Sequence, residues 1–116
     1  MEESSVKMLL DGHESWKIHL FDFVDRFRLL KDPVLVDTPP AIDLTPDLRA
    51  LITSTAEALC DELAICMPPW CRGIPTLNQP WFVSGMENLK AMALVESPAH
   101  FRKRNIFVLG NFLDRA

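Results

Sequence analysis

The side chains that could do chemistry in this sequence are scattered rather than gathered. His13, Glu14 and His19 suggest a metal-binding helix. A zinc-protease helix, however, needs two histidines four residues apart with a glutamate between them, so that both imidazoles share a face. Here the histidines are six apart, so His13 is expected to be solvated or capping and His19 to sit on a helix surface. Cys60, Cys66 and Cys71 lack the close pairs and the fourth ligand of a structural zinc site. Cys60 falls near the apolar side of a helix and is expected in the core, while Cys66 and Cys71 flank Trp70 as ordinary thiols. Nucleophilic catalysis needs an activated serine or cysteine with a base and an orienting group. Ser84, Ser97 and His100 supply the residue types, but no nucleophile elbow surrounds them. With only 4 glycines there is also no phosphate-cradling loop. Asp61 and Glu62 are neighbours on a helix, so their carboxylates diverge. No catalytic residue, metal or cofactor is therefore expected, and the chain does not read as an enzyme.

Two features point to binding instead. Arg102, Lys103 and Arg104 form the one basic cluster, next to His100 and Phe101. Such a cluster suits phosphate or an acidic protein surface; it also suits the last turn of a helix, where positive charge complements the dipole. Trp70, Trp81 and Phe82 border a proline-rich stretch. Aromatics there can anchor a partner or clamp an irregular loop onto helices. The candidate partner-binding set is Trp70, Trp81, Phe82, Phe101, Arg102, Lys103 and Arg104.

The elements that must position these residues are mainly helices. Ser4 and Ser5 can cap a short first helix through Leu10, with Gly12 as a stop or bend. In the stretch from Glu14 to Leu30, Trp16, Leu20, Phe23, Phe27 and Leu30 recur at steps of three and four, with Phe21 and Val24 widening the stripe. Lys31, Asp32 and Pro33 should end this helix, because a residue before proline resists the α region. Thr45-Pro46 opens a second helix, the threonine capping and the proline fitting the first turn. Its apolar face is Leu48, Leu51, Ile52, Thr55, Leu59 and Leu63, and its expected end lies near Ile65. Residues 68–80 read as irregular. Ser84 with Glu87 forms a capping box for a third helix, with Met86, Leu89 and Ala93 on its apolar side and Met92 at the edge of that side. Ser97-Pro98 repeats the cap-then-proline start for a short helix to about Lys103, which Asn105 can terminate. The β-prone run from Ile106 to Leu109 allows one minor two-stranded element, by pairing with Val34–Val36. The expectation is an all-α single domain over residues 1–116, of three main helices plus short ones.

Composition narrows the class. The chain has 116 residues, 48% hydrophobic and 24% charged, which suits one globular domain and argues against global disorder. A domain of this size needs no disulfide or metal to fold. The formal charge of −4 disfavours direct nucleic-acid binding without excluding it, because such binding rests on neutralising phosphates. The acidic N-terminal segment is not expected to be a signal peptide. No apolar run approaches the roughly 20 residues of a membrane span. Odd cysteine number and acidic charge fit a cytoplasmic protein with free thiols, and homo-oligomerisation is left open.

One block is distinctive: Pro80-Trp81-Phe82, Leu89, Glu96-Ser97-Pro98, Phe101-Arg102-Lys103-Arg104, Asn105-Ile106-Phe107-Val108 and Leu113-Asp114-Arg115-Ala116. It resembles the C-terminal part of a loosely characterised group of small bacterial proteins. Those proteins are sometimes fused to a helix-turn-helix regulator and lie beside genes for nucleotidyltransferase-like toxins. The helix opened by Thr45 and the Pro69-Trp70 pair are similar too, so the resemblance covers roughly two-thirds of the chain. It implies a protein-interaction domain, antitoxin-like or accessory to a nucleotidyltransferase-type toxin, and transfers no catalytic residue. No additional helix-turn-helix domain fits before residue 45, which weakens the alternative of a nucleic-acid-binding transcriptional regulator. A small enzyme of unknown reaction is the other alternative.

Overall fold

The computed structural model describes residues 16–37, 39, 44–83 and 87–114. The first short helix, His13, Glu14 and the Ser84 half of the capping box lie outside them. Helix α1 spans Trp16–Leu30 and buries Leu20, Phe23, Val24 and Phe27 on one face. Each such side chain contributes on the order of 1.5–3 kcal/mol by leaving water. Leu30, placed on the stripe by its spacing, is exposed, because the helix ends there before reaching cover. Lys31 takes a left-handed backbone (φ 53) and its N–H returns to the Phe27 carbonyl at 2.8 Å. Asp32 then accepts a hydrogen bond from Val34 N at 3.1 Å and starts a 3-10 turn over Pro33–Val36.

Helix α2, Pro46–Glu62, is the axis of the molecule. Thr45 caps it, its Oγ1 accepting from Leu48 N at 3.3 Å. It ends three residues short of the expected Ile65, in a Schellman turn: Ile65 N donates to Cys60 O at 2.8 Å and Ala64 N to Asp61 O at 3.4 Å. The left-handed position of that turn is held by Ala64 (φ 57) rather than by glycine, so no sequence stop signal marked it. Leu48, Leu51, Ile52, Thr55 and Leu59 are buried as the periodicity predicts, but so are Thr53, Ser54 and Glu57 on the opposite side. Helix α1 packs against one side of α2 and the short helix α4, Ala99–Arg102, against another. The hydroxyls of Thr53 and Thr55 bond back to the carbonyls of Arg49 and Leu51, both at 2.8 Å, which lets them sit inside without unsatisfied donors.

After a 3-10 turn at Pro69–Gly73 comes strand β1, Trp81–Phe82; helix α3, Lys90–Glu96, precedes α4, and strand β2 is Ile106–Phe107. The fold is mainly helical with a small two-stranded parallel sheet, in the register Trp81↔Ile106 and Phe82↔Phe107. The expected pairing of Val34–Val36 with Ile106–Leu109 is thereby corrected. Residues 33–36 are wound into a 3-10 turn by the Asp32 cap and Pro33, and cannot offer an extended edge. β1 can take the parallel position because α3 and α4 supply the long crossover that parallel strands require. Ser97 is a second correction. It does not cap α4, whose N-cap position is Pro98. Its buried hydroxyl donates to Ile106 O at 3.0 Å and accepts from Val108 N at 3.3 Å, tying the start of α4 to β2. Asn105 terminates the α4 turn in a left-handed conformation (φ 67), as expected. Among the described residues no helix is long and apolar enough to cross a membrane.

Candidate functional site

The basic turn after α4 divides into an inner and an outer part. Arg104 is 4% exposed and Phe101 fully buried, so neither is surface: both are held inward by the turn that carries them across α2. Arg104 Nη1 donates to Glu57 Oε1, and Nη2 donates to the Cys71 carbonyl at 2.8 Å. Lys103 Nζ reaches the other oxygen of Glu57 at 2.9 Å. Glu57 is thus a buried carboxylate shared by two cations. Burial pushes its pKa up, but the hydrogen bonds from Arg104 and Lys103 outweigh burial and hold it below the ordinary carboxylate value. Among the described residues, the one buried side-chain polar atom without a partner is Arg104 Nε. Arg102 stays outside and donates from Nη2 to the carbonyls of Val95 and Ser97, at 3.2 and 2.8 Å, where helix α3 ends.

The aromatics mostly brace the fold. Trp70 Nε1 donates to Val36 O at 2.8 Å and clamps the 3-10 turn of residues 33–36 against the Pro69–Gly73 turn. Trp81 is half-buried and meets Trp16 edge-on, with centroids 6.1 Å apart. Phe82 stacks on Phe107 at 5.1 Å across the sheet, and Lys90 Nζ lies 5.3 Å from the Phe82 ring centroid. Trp81, Phe82, Arg102 and Lys103 remain partly or fully accessible out of the candidate set, while Trp70 contributes its indole mainly to the clamp.

Other chemistry-bearing groups stand apart. His100 Nε2 lies 3.1 Å from Asp61 Oδ2, a pair at the surface with Asp61 largely exposed rather than set in a cleft. Glu62 turns the other way and accepts two hydrogen bonds from Arg28, both at 2.9 Å. The neighbouring carboxylates therefore diverge as their helical spacing requires. All three cysteines are free. Burial pushes the Cys60 thiol up to about 11 and the Cys71 thiol up to about 12, with the nearby Glu57 charge adding to both. Neither is a thiolate nucleophile at neutral pH. Among the described residues no three His, Cys, Asp or Glu side chains gather as a metal would need.

Two surface features went unnoticed in the sequence. Helix α3 buries only Ala93 (3% exposed), while Leu94 and Val95 stand at 50% and 78% exposure, and Met92, expected with the apolar side, is corrected to 47% exposed. An amphipathic surface helix turns its apolar stripe inward; this one turns apolar side chains outward on several sides. It lies between Phe82, through Lys90, and Arg102, through Val95 O. The other feature is a pair of adjoining depressions. A groove of about 290 Å³ is lined by Glu57, Arg72, Ile74, Thr76, Lys103 and Arg104. A larger cleft of about 690 Å³ shares Ile74 and Thr76 with it and runs on past Asp47, Arg49 and Gln79 to Trp81. Glu57 was the missed residue at this site. A signal existed: it is the only charged residue between Arg49 and Asp61. A lone charge in an otherwise uncharged helical run marks a paired, inward-facing group.

No family model matches the chain, and no curated protein or solved structure shows significant similarity to it.

Proposed function

We propose that this chain is a protein-interaction domain whose docking element is helix α3. The observation that carries the reading is the exposure of Met92, Leu94 and Val95 on a helix with a single buried residue, Ala93. Exposed apolar side chains are unfavourable in water, and covering them with a partner removes that cost. Lys90 stands at one end of α3 and Arg102 at the other, so the complementary surface is an apolar groove edged by carboxylates. The C-terminal resemblance supplies the candidate, a nucleotidyltransferase-type toxin whose active site holds carboxylates for metal ions. The chain then acts as an antitoxin-like or accessory partner by occlusion, with Phe82 and Arg102 flanking the apolar contact. Such a partner is cytoplasmic, and the three free cysteines accord with a reducing compartment.

The test is co-expression with a nucleotidyltransferase-type toxin encoded beside this chain. The expected result is co-purification of the pair and relief of the toxin's growth arrest. The double variant Leu94→Glu, Val95→Glu should lose both while keeping the wild-type circular dichroism spectrum. Failure of the wild type to co-purify or neutralise overturns the reading, as does a double variant that neutralises equally well. A dimer in size-exclusion chromatography that the same double variant dissolves would assign the face to a second copy, and also overturns it.

A further inference from the structure

The groove beside Glu57 is a locally cationic site in an acidic chain. Its lining brings together Arg72, Lys103 and Arg104 against one carboxylate, Glu57, while the chain as a whole carries a formal charge of −4. Lys103 and Arg104 are already fixed in place by Glu57 and by the Cys71 carbonyl. A ligand anion therefore meets cations whose side-chain order is established by folding rather than by binding. Arg72 projects from the turn that supplies that carbonyl, is exposed, and makes no ion pair among the described residues. Its planar fork matches the oxygens of a phosphate group two at a time. Thr76 adds a hydroxyl at the junction with the larger cleft. That cleft is walled by proline and by the half-buried Trp81, an apolar face suited to an organic group.

We propose that the groove and cleft together form a binding site for a small phosphomonoester, with the phosphate between Arg72 and Lys103 and the organic group lying past Ile74 and Thr76 towards Trp81. Among the described residues, the carboxylates facing this path are Glu57, which Lys103 and Arg104 neutralise, and Asp47, which lies in the far cleft with Arg49. The dianion therefore belongs at the Arg72 end. The site is separate from the α3 face, so its failure would leave the docking reading untouched, and the reverse.

The experiment is calorimetric titration of the full chain with phenyl phosphate, inorganic phosphate and phenol, with tryptophan fluorescence as a second readout. Phenyl phosphate is expected to bind saturably, several-fold tighter than inorganic phosphate, to quench the fluorescence, and to weaken as salt is raised. Phenol is expected not to bind. Arg72→Ala should weaken phenyl phosphate about tenfold, the scale of one lost charge-assisted contact. Because Arg72 is exposed and makes no ion pair among the described residues, that variant should keep its thermal midpoint. Trp81→Leu should remove the preference for phenyl phosphate over inorganic phosphate. Absence of saturable binding, equal affinity for the two phosphates, or an Arg72→Ala variant that binds like the wild type would each overturn the proposal.

Discussion

Helices α2 and α3 break the usual division of labour in opposite ways. In α2 the polar residues Thr53, Ser54, Thr55 and Glu57 are buried; in α3 the apolar residues Met92, Leu94 and Val95 are exposed. The difference is in what surrounds each helix. α2 is enclosed by α1, by α4 and by the basic turn, and each buried polar group there finds a partner: a carbonyl one turn back for the threonines, and two cations for Glu57. α3 buries Ala93, sets Lys90 over the Phe82 ring at its start, and is tied down at its end, where Arg102 bonds to Val95 O and Ser97 joins it to β2. Buried polarity in α2 therefore reflects internal cohesion, whereas the exposed apolar side chains of α3 are the observation on which the proposed docking role rests.

The largest effect that tests this contrast should come from Glu57. Glu57→Gln leaves the Arg104 guanidinium buried with its charge uncompensated, and should cost about 3–5 kcal/mol in urea denaturation. Because the folded-state pKa of Glu57 lies below its unfolded value, its contribution is present above about pH 4.3 and is lost as pH falls through the folded pKa. The wild type should therefore lose stability in acid with a steeper slope than the Gln variant, measurable as thermal midpoint against pH. If Glu57→Gln is neutral, the internal-cohesion side of the comparison fails.

Ser97→Ala comes next. It strips Ile106 O and Val108 N of their buried partner and should cost about 1–3 kcal/mol. A smaller loss would mean that α3 is tethered elsewhere. Ala64→Gly should act in the opposite direction. Ala64 occupies a left-handed position at the end of α2, and glycine there should stabilise the chain by about 1 kcal/mol, read as a rise in denaturation midpoint. The smallest effect should be Val95→Glu, within about 0.5 kcal/mol of wild type, since the side chain is largely in water. A loss of more than 1–2 kcal/mol would show that Val95 packs internally, and would remove the basis for α3 as a docking element.

Much of the fold was legible because it rests on local rules. The three-four spacing of Leu20, Phe23 and Phe27, the Thr45-Pro46 start and the Asn105 stop all act within one helical turn, and the structure follows each of them. The strand partner was not legible. Ile106 had the right chemistry, but the choice between Val34–Val36 and Trp81–Phe82 depends on a crossover and on a cap at Asp32, which winds one candidate into a turn. The candidate site divided in the same way. Arg102, Lys103 and Arg104 are consecutive in sequence, yet Arg104 faces in and Arg102 out. Successive residues in a helical turn point in different directions, so a run of like charges does not stay together as a patch.

The amino-acid sequence alone determined the helical class, the positions of α1 and α2, and the absence of the common nucleotide-loop and zinc-helix motifs, because periodicity, caps and motif spacing are properties of neighbouring residues. Only the tertiary structure decided that Glu57 would collect two of the three basic side chains, that Ser97 would clasp β2 rather than cap a helix, and that α3 would be left with its apolar side chains in water. Those outcomes depend on which surfaces meet across long stretches of chain, and burial is a property of that meeting rather than of any residue by itself.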